Sequence, residues 1–281
     1  MINGMSDTKR AALFSFGAEQ FAALHECCEQ HGYAPVAYVH TAAKRPGRAR
    51  TGKAAGELLG SIPGDVDFLV PGSAAGLTGA LRGYQVDLAV VYGFNWPLPA
   101  DLLRSLPDGA LNVHPSSLPR YRGPAPVHWA LRNGDPSIGV TVHRMTEQLD
   151  AGPILAQRSG IPLDEEMTQE LLWERIEPVV RELLGTALGR VAAGDQGEPQ
   201  DESAATRAGY LEPGFSVVDW SNRATDIHNQ VRTNRFMRRS PTARLNGKQV
   251  RILRTRTTPG DGVRVECADG PLWITDYACA E

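Results

Sequence analysis

The residues of this chain best suited to chemistry are Asn112, His114 and Asp150. They supply an amide N–H donor, an imidazole that titrates near neutral pH and a carboxylate. Those group types can stabilise an oxyanion, move a proton and hold an imidazole in one tautomer. Asn112 and His114 end the apolar run ALNVH, so period-two alternation points both side chains to the same side. A loop rich in Pro, Ser and Gly follows, PSSLPRYRGPAP, and Asp150 sits in LDAGP on a turn set by Gly152 and Pro153. Alone, an Asn-x-His at a strand end is more often structural, and an Asp before a glycine is commonly an Asx turn. The loop between them, with 36 positions from His114 to Asp150, makes the set a candidate catalytic constellation. His128 and His143 read as scattered histidines without a role.

These residues need a scaffold, and the first two thirds of the chain read as one. Ala11–Phe16, Val36–His40 and Ala110–His114 have strand length, and a helical spacing separates the first two. DLAVVYGF at 87–94 is continuously apolar, as in a strand buried on both faces of a parallel sheet. Leu98–Leu106 and Pro126–Asn133 read as short helices. GVTVHRM at 139–145 alternates as a strand, with Ile154–Gln157 as its partner. Thr168 caps a long helix whose apolar face runs from Leu171 to Leu188, with Pro178 expected to kink or divide it. Alternating strands and helices argue for a parallel α/β sheet, and ligands of such sheets bind beyond the carboxyl ends of the strands. Residues 194–208 are small, polar and acidic and read as a linker. Beyond them come a helix at 224–232 and short β-type runs at 242–245, 249–253, 262–267 and 272–275. Asn246-Gly247 and Asp269-Gly270 mark turns between them, a pattern that suggests a small barrel.

The central motif, Asn-x-His followed by SLPRYRGPAP and an Asp in D-x-G, resembles the folate-dependent formyltransferases. That group includes methionyl-tRNA formyltransferase, sugar-nucleotide N-formyltransferases and glycinamide ribonucleotide transformylase. FSFGAEQFAALHE at 14–26, VVYGFNWPLP at 90–99 and DWSNRATDIHNQVRT at 219–233 extend the likeness over nearly the whole chain. The resemblance implies a Rossmann-like parallel-sheet catalytic domain at 1–193, a linker at 194–208 and a β-rich, OB-like domain at 209–281. It implies 10-formyltetrahydrofolate as co-substrate, no metal, and Asn112, His114 and Asp150 as catalytic residues. It places the folate against Tyr92, Gly93, Phe94, Trp96, Ser116, Ser117, Leu118, Pro119 and Leu149. In such an enzyme an amine attacks the formyl carbon, Asn112 meets the oxyanion, His114 takes the proton or shares the oxyanion load, and Asp150 orients and supports the imidazole or helps relay a proton to N10.

Composition narrows the acceptor only in part. At 42% hydrophobic and 22% charged residues the 281-residue chain is of ordinary globular make-up, and a net charge of −3 is not that of a nucleic-acid binder taken whole. The total hides two unlike parts. Residues 206–281 hold 12 Lys/Arg and 8 Asp/Glu, a sum of +4, which leaves −7 for residues 1–205. Two acid-free basic clusters stand out: Lys44, Arg45, Arg48, Arg50 and Lys53, and a run of nine from Arg232 through Arg235, Arg238, Arg239, Arg244, Lys248, Arg251 and Arg254 to Arg256. Either could meet the phosphates of a tRNA or face solvent. The segment WALRNGDPSIGVTVHRM resembles the small-molecule branch of the family more closely. The expected acceptor is therefore the primary amine or hydroxylamine of a small molecule, an amino sugar nucleotide or a biosynthetic amino acid. Methionyl-tRNA is the runner-up, with hydrolysis of 10-formyltetrahydrofolate as another alternative. Four cysteines without a CxxC pair, no apolar run of membrane-spanning length, and Asp7, Lys9 and Arg10 in place of a leader's apolar core point to a cytoplasmic protein. Homodimerisation is left open by the sequence.

Overall fold

The computed structural model describes residues 8–40, 56, 58–94 and 96–279. The basic cluster Lys44–Lys53 lies outside them. Seven strands form the main sheet: β1 (Lys9–Phe14), β2 (Tyr33–Val39), β3 (Asp67–Leu69), β4 (Leu88–Val91), β5 (Gly109–His114), β6 (Ser137–Arg144) and β7 (Ile154–Pro162). Their order is β3-β2-β1-β4-β5-β6-β7. Pairing is parallel from β3 through β5, and β6 runs antiparallel to β5. The sheet is thus mixed where a fully parallel one is expected. Hydrophobic alternation carries no information on strand direction, so this reversal has no signature in the sequence.

Apolar composition explains the central strands. All four residues of β4 are buried, as its uninterrupted Leu-Ala-Val-Val requires. One face of the sheet presents Ala12 and Phe14, Ala37 and Val39, Ala89 and Val91, and Ala110. It packs on Leu77 and Leu81 of helix α2 (Ala74–Gly83) and Leu102 of the short helix α3 (Ala100–Leu103). Ser73 caps α2 by accepting the Gly76 N–H at 3.1 Å. On β1, Phe14 is in register with Val39 of β2 and with Val91 of β4. Val91 is in register with Asn112, and Asn112 with His143. One row thus crosses the sheet just before the carboxyl ends of β1, β2, β4 and β5. The strand order also turns at β1, between β2 and β4, which makes this edge the usual ligand side of such a sheet.

By internal packing the chain divides into two compact units. One comprises residues 1–124, 139–158 and 177–206; the other comprises 125–138, 159–176 and 207–281. The long helix α5 (Gln169–Ala192) runs through Pro178 without a break, with Thr168 Oγ1 accepting the Leu171 N–H at 3.1 Å. The preceding helices are α1 (Ala18–Gln30) and α4 (Pro126–Arg132). In the second unit, helix α6 (Ala224–Phe236) lies on an antiparallel, half-barrel sheet of β8 (Thr242–Leu245), β9 (Lys248–Arg256), β10 (Val263–Cys267) and β11 (Gly270–Cys279), in the order β10-β11-β9-β8. Its core is Ile227 and Val231 of α6 against Ala243, Leu245, Val250, Ile252, Leu272 and Ile274. Asn246 and Gly247 both take positive φ, +49° and +78°, as the two-residue hairpin between β8 and β9 demands. No described helix is long and apolar enough to cross a membrane.

Candidate active site

β5, β6 and the loops after them bring three buried polar side chains together. His114, His143 and Asp150 are 5%, 1% and 7% exposed, so their interactions are only weakly screened by water. Asn112 faces His143 across the antiparallel β5–β6 pair. Asn112 Nδ2 donates to Asp150 Oδ1 at 3.1 Å and lies 3.2 Å from His143 Nε2. His143 Nδ1 is 2.8 Å from the Arg144 carbonyl, which can only accept, so Nδ1 carries the proton and Nε2 accepts from Asn112. The same reasoning fixes His114. Its Nε2 donates to the Tyr121 carbonyl at 2.9 Å, which leaves Nδ1 as the basic nitrogen, 3.7 Å from Asp150 Oδ2. Gly123 N–H donates to Asp150 Oδ2 at 2.7 Å.

Electrostatics follow from this packing. Burial pushes the His114 pKa below its ordinary value, outweighing the nearby Asp150 charge and the Tyr121 carbonyl. Burial opposes charge on Asp150. The adjacent His143 and His114 imidazoles and the Gly123 N–H overcome it and hold the carboxyl below its usual range. At neutral pH the site therefore pairs a neutral imidazole with a carboxylate.

The backbone is shaped for these contacts. Asp150 adopts φ +53°, a left-handed conformation that Asp tolerates better than most residues. A Cβ at Gly152 would stand 1.8 Å from the Arg144 carbonyl oxygen, so only glycine fits the turn. In the preceding loop Ser116 Oγ donates to the Arg120 carbonyl at 2.7 Å, and Thr141 Oγ1 donates to the Ser116 carbonyl at 2.6 Å. Leu118 N–H donates to Thr141 Oγ1 at 3.2 Å. A Cβ on Gly139 would come within 2.1 Å of Ser117 Oγ. Among the described residues no group of three or more His, Cys, Asp or Glu side chains is arranged to hold a metal ion.

This geometry can be compared with known proteins. A family model described as formyl transferase matches residues 9–188. The chain belongs to the formyl transferase family. It is 36% identical over 220 residues to the methionyl-tRNA formyltransferase of Pelobacter propionicus, covering 74% of this chain and 68% of that protein. It is 42% identical over 155 residues to the methionyl-tRNA formyltransferase of Nitratidesulfovibrio vulgaris, covering 54% of this chain and 46% of that protein. Among solved structures, HypX from Aquifex aeolicus in complex with tetrahydrofolic acid has a TM-score of 0.66 at 18% identity, covering 98% of this chain and 45% of that one. A sugar N-formyltransferase from Shewanella sp. gives 0.66 at 17% identity, covering 90% of this chain and all of that one. At these identities the structural likeness speaks for the fold, and the family match makes this chain a formyl transferase.

Within this formyl transferase Asp150 converges with Asn112 and His114, which share β5. The residues assigned to the folate by resemblance occupy varied settings. Tyr92 and Trp96 are buried, and burial pushes the Tyr92 hydroxyl pKa up. Phe94 packs edge-on against Phe14 at 5.0 Å and tilts against Trp96 at 5.6 Å. Gly93 is exposed at φ +77°, where a Cβ would strike the Phe16 ring. Ser116 and Leu118 are buried in the loop's own hydrogen bonds, Ser117 and Pro119 are half-buried, and Leu149 is 50% exposed. Sequence reasoning missed His143. Its alternation in GVTVHRM places it on a strand face, but its position opposite Asn112 is a matter of register and is not written in the spacing. The Tyr121 carbonyl and Gly123 N–H were likewise hidden, because a backbone group leaves no sequence signature.

Proposed function

We propose that the enzyme transfers the formyl group of 10-formyltetrahydrofolate to the primary amine of a small molecule, with an amino sugar nucleotide as the first candidate and a biosynthetic amino acid as the next. The observation that carries the reaction is the buried His114, its Nε2 held by the Tyr121 carbonyl at 2.9 Å and its Nδ1 turned to Asp150 Oδ2 at 3.7 Å. The acceptor amine attacks the formyl carbon, and the carbonyl oxygen becomes an oxyanion. Asn112 meets that oxygen by giving up one of its two amide hydrogen bonds, to His143 or to Asp150, so its net contribution is smaller than the about 3–4 kcal/mol of a donor already aimed there. His114 Nδ1 accepts the amine proton, and Asp150 stabilises the imidazolium that results. That proton then passes to N10 of the folate as the C–N bond breaks, which returns His114 to its neutral state. The residues at 92–96 and 116–119, with Leu149, are the proposed folate-facing set.

The preference for a small acceptor rests on the basic run. Arg232 pairs with Glu165 at 3.3 Å, Arg235 with Glu166 at 3.3 Å, Arg254 with Glu166 at 3.2 Å, and Arg238 with Glu170. Four of the nine cations therefore already have carboxylate partners within their own unit. Methionyl-tRNA is the second reading, favoured by the names of the relatives at 36% and 42% identity. An acceptor screen with 10-formyltetrahydrofolate decides between them. We expect turnover with an amino sugar nucleotide or a hydroxyornithine-like amine. A kcat/KM for methionyl-tRNA at least tenfold above every small amine overturns the small-molecule reading.

A further inference from the structure

We infer that Gln200, acting with Arg122, is a positioning residue that holds the Asp150 turn in its working geometry. The segment that contains it reads as a linker, yet it is hydrogen-bonded to the catalytic loop along its length. Thr206 N–H donates to the Pro119 carbonyl at 3.1 Å, Tyr121 N–H donates to Thr206 Oγ1 at 2.8 Å, and Arg122 N–H donates to the Thr206 carbonyl at 2.9 Å. The side chain of Gln200 makes the connection to the chemistry. Its Nε2 donates to the carbonyls of Asp150 at 2.9 Å and Gly152 at 2.8 Å, both within the turn. Its Oε1 accepts from Arg122 Nε at 3.0 Å and Nη2 at 2.7 Å. All four hydrogen-bonding capacities of one planar amide are thereby used, which fixes both its position and its orientation.

Arg122 completes the clasp. Its guanidinium is 8% exposed and reaches Glu202 through Nη1 at 2.9 Å and Nη2 at 2.7 Å. Arg122 also lies between the two backbone groups that set the acid–base pair. The carbonyl of Tyr121, just before it, holds His114 Nε2, and the N–H of Gly123, just after it, holds Asp150 Oδ2. One guanidinium and one amide thus tie the loop that orients His114 to the turn that presents Asp150. Because Asp150 sits at positive φ, its turn has an alternative, more relaxed backbone available once the two Gln200 donors are lost.

This inference rests on the reading that Asp150 works in formyl transfer, so its test separates the two. Gln200→Ala removes both arms of the clasp. Gln200→Glu keeps an acceptor for Arg122 and replaces the donors to the turn with a carboxylate oxygen that cannot bond the two carbonyls. Each is assayed with 10-formyltetrahydrofolate and the acceptor that the wild-type enzyme uses best. We expect kcat to fall 10- to 100-fold for both, with the KM for the folate within twofold. In the Asp150→Asn background we expect Gln200→Ala to cost less than a further twofold, because contacting residues that act through one group are not additive. If Gln200→Glu keeps kcat within twofold of wild type, or if the two substitutions multiply, the inference is wrong. A second readout does not need turnover. Histidine 15N NMR of the wild-type chain, assigned by loss of the peak in His114→Asn, should show His114 as the Nε2–H tautomer. Gln200→Ala should shift that signal or broaden it into a tautomer mixture. An unchanged His114 signal overturns the inference, and wild-type inactivity toward every acceptor would count against the transfer reading alone.

Discussion

His143 is the residue whose place changes most between sequence and structure. It reads as a stray histidine on a strand, yet it is 1% exposed and lies 3.2 Å from Asn112 Nδ2 and 3.7 Å from Asp150. Without it, Asn112 loses one of the two partners of its amide and keeps only Asp150. We predict that His143→Ala lowers kcat/KM roughly 10- to 100-fold, the usual range for loss of a group that orients or assists acid–base chemistry. We expect His143→Gln, which can still accept from Asn112, to recover part of it, and steady-state kinetics on both variants check this. His114 has a pH signature. Its pKa lies below the ordinary imidazole value of about 6.5, so the neutral base persists to lower pH and the acid limb of kcat/KM should fall below pH 6.5. Stability follows the same sign. Below about pH 6.5 the unfolded chain binds a proton at this histidine that the folded chain refuses, so stability falls as pH drops through that window. Asp150, with its pKa depressed, adds a second loss only as pH falls below the ordinary Asp value near 3.9. Denaturant titration between pH 5 and 8 should show the first loss in wild type and a weaker one in His114→Asn; equal slopes would exclude His114 as its source. The three residues picked from residue type, spacing and the family resemblance do meet, because Asn112 and His114 share a strand and Asp150 follows the neighbouring one. The groups that spacing could not supply are those set by register or by backbone.

At the scale of elements, the strands and helices were legible wherever a run of one period was long. β8 at Thr242–Leu245 falls where its pattern puts it, and Asn246-Gly247 turns the chain as its residue types require. Ends were less legible. β7 runs on through polar residues to Pro162 and β9 to Arg256, because ladder hydrogen bonds do not need apolar side chains. The helix read at 98–106 shortens to Ala100–Leu103. Small, polar and acidic composition at 194–208 gave no hint of its hydrogen bonds to the 119–122 loop and the Asp150 turn, since those bonds depend on which polar atoms meet. The turn at Gly152 offers a sharp test of how tightly such elements are built. We predict that Gly152→Ala destabilises the protein by about 1–3 kcal/mol, as overpacking does. It should also cut kcat, because the Arg144 carbonyl cannot retreat without moving β6, which carries His143. Thermal unfolding together with kinetics tests both parts, and a variant with wild-type stability and rate would mean the turn is looser than its contacts imply.

At the scale of the whole molecule, the charge asymmetry of +4 against −7 poses the acceptor question, and ion pairing changes its weight. Arg232, Arg235, Arg238 and Arg254 have carboxylate partners within the second unit. Arg239, Arg244, Lys248 and Arg251 are exposed and stand outside that network. If the enzyme serves a small amine, these four cations are a solvated face. We then predict that replacing all four by Ala leaves kcat/KM for the small acceptor within about twofold of wild type. Stability should move by less than about 2 kcal/mol, since exposed substitutions are usually each within about 0.5 kcal/mol. If instead they grip tRNA phosphates, each lost contact releases fewer counterions, and the slope of log K against log salt should become shallower by about 0.9 per contact. Binding of initiator tRNA to both proteins, measured from about 50 to 200 mM salt, separates the outcomes. A slope change near 3.6 with lost methionyl-tRNA formylation would assign this face to nucleic acid. An unchanged, shallow slope with intact small-amine turnover would leave the positive C-terminal region as a surface that neutralises its own acids and otherwise faces water.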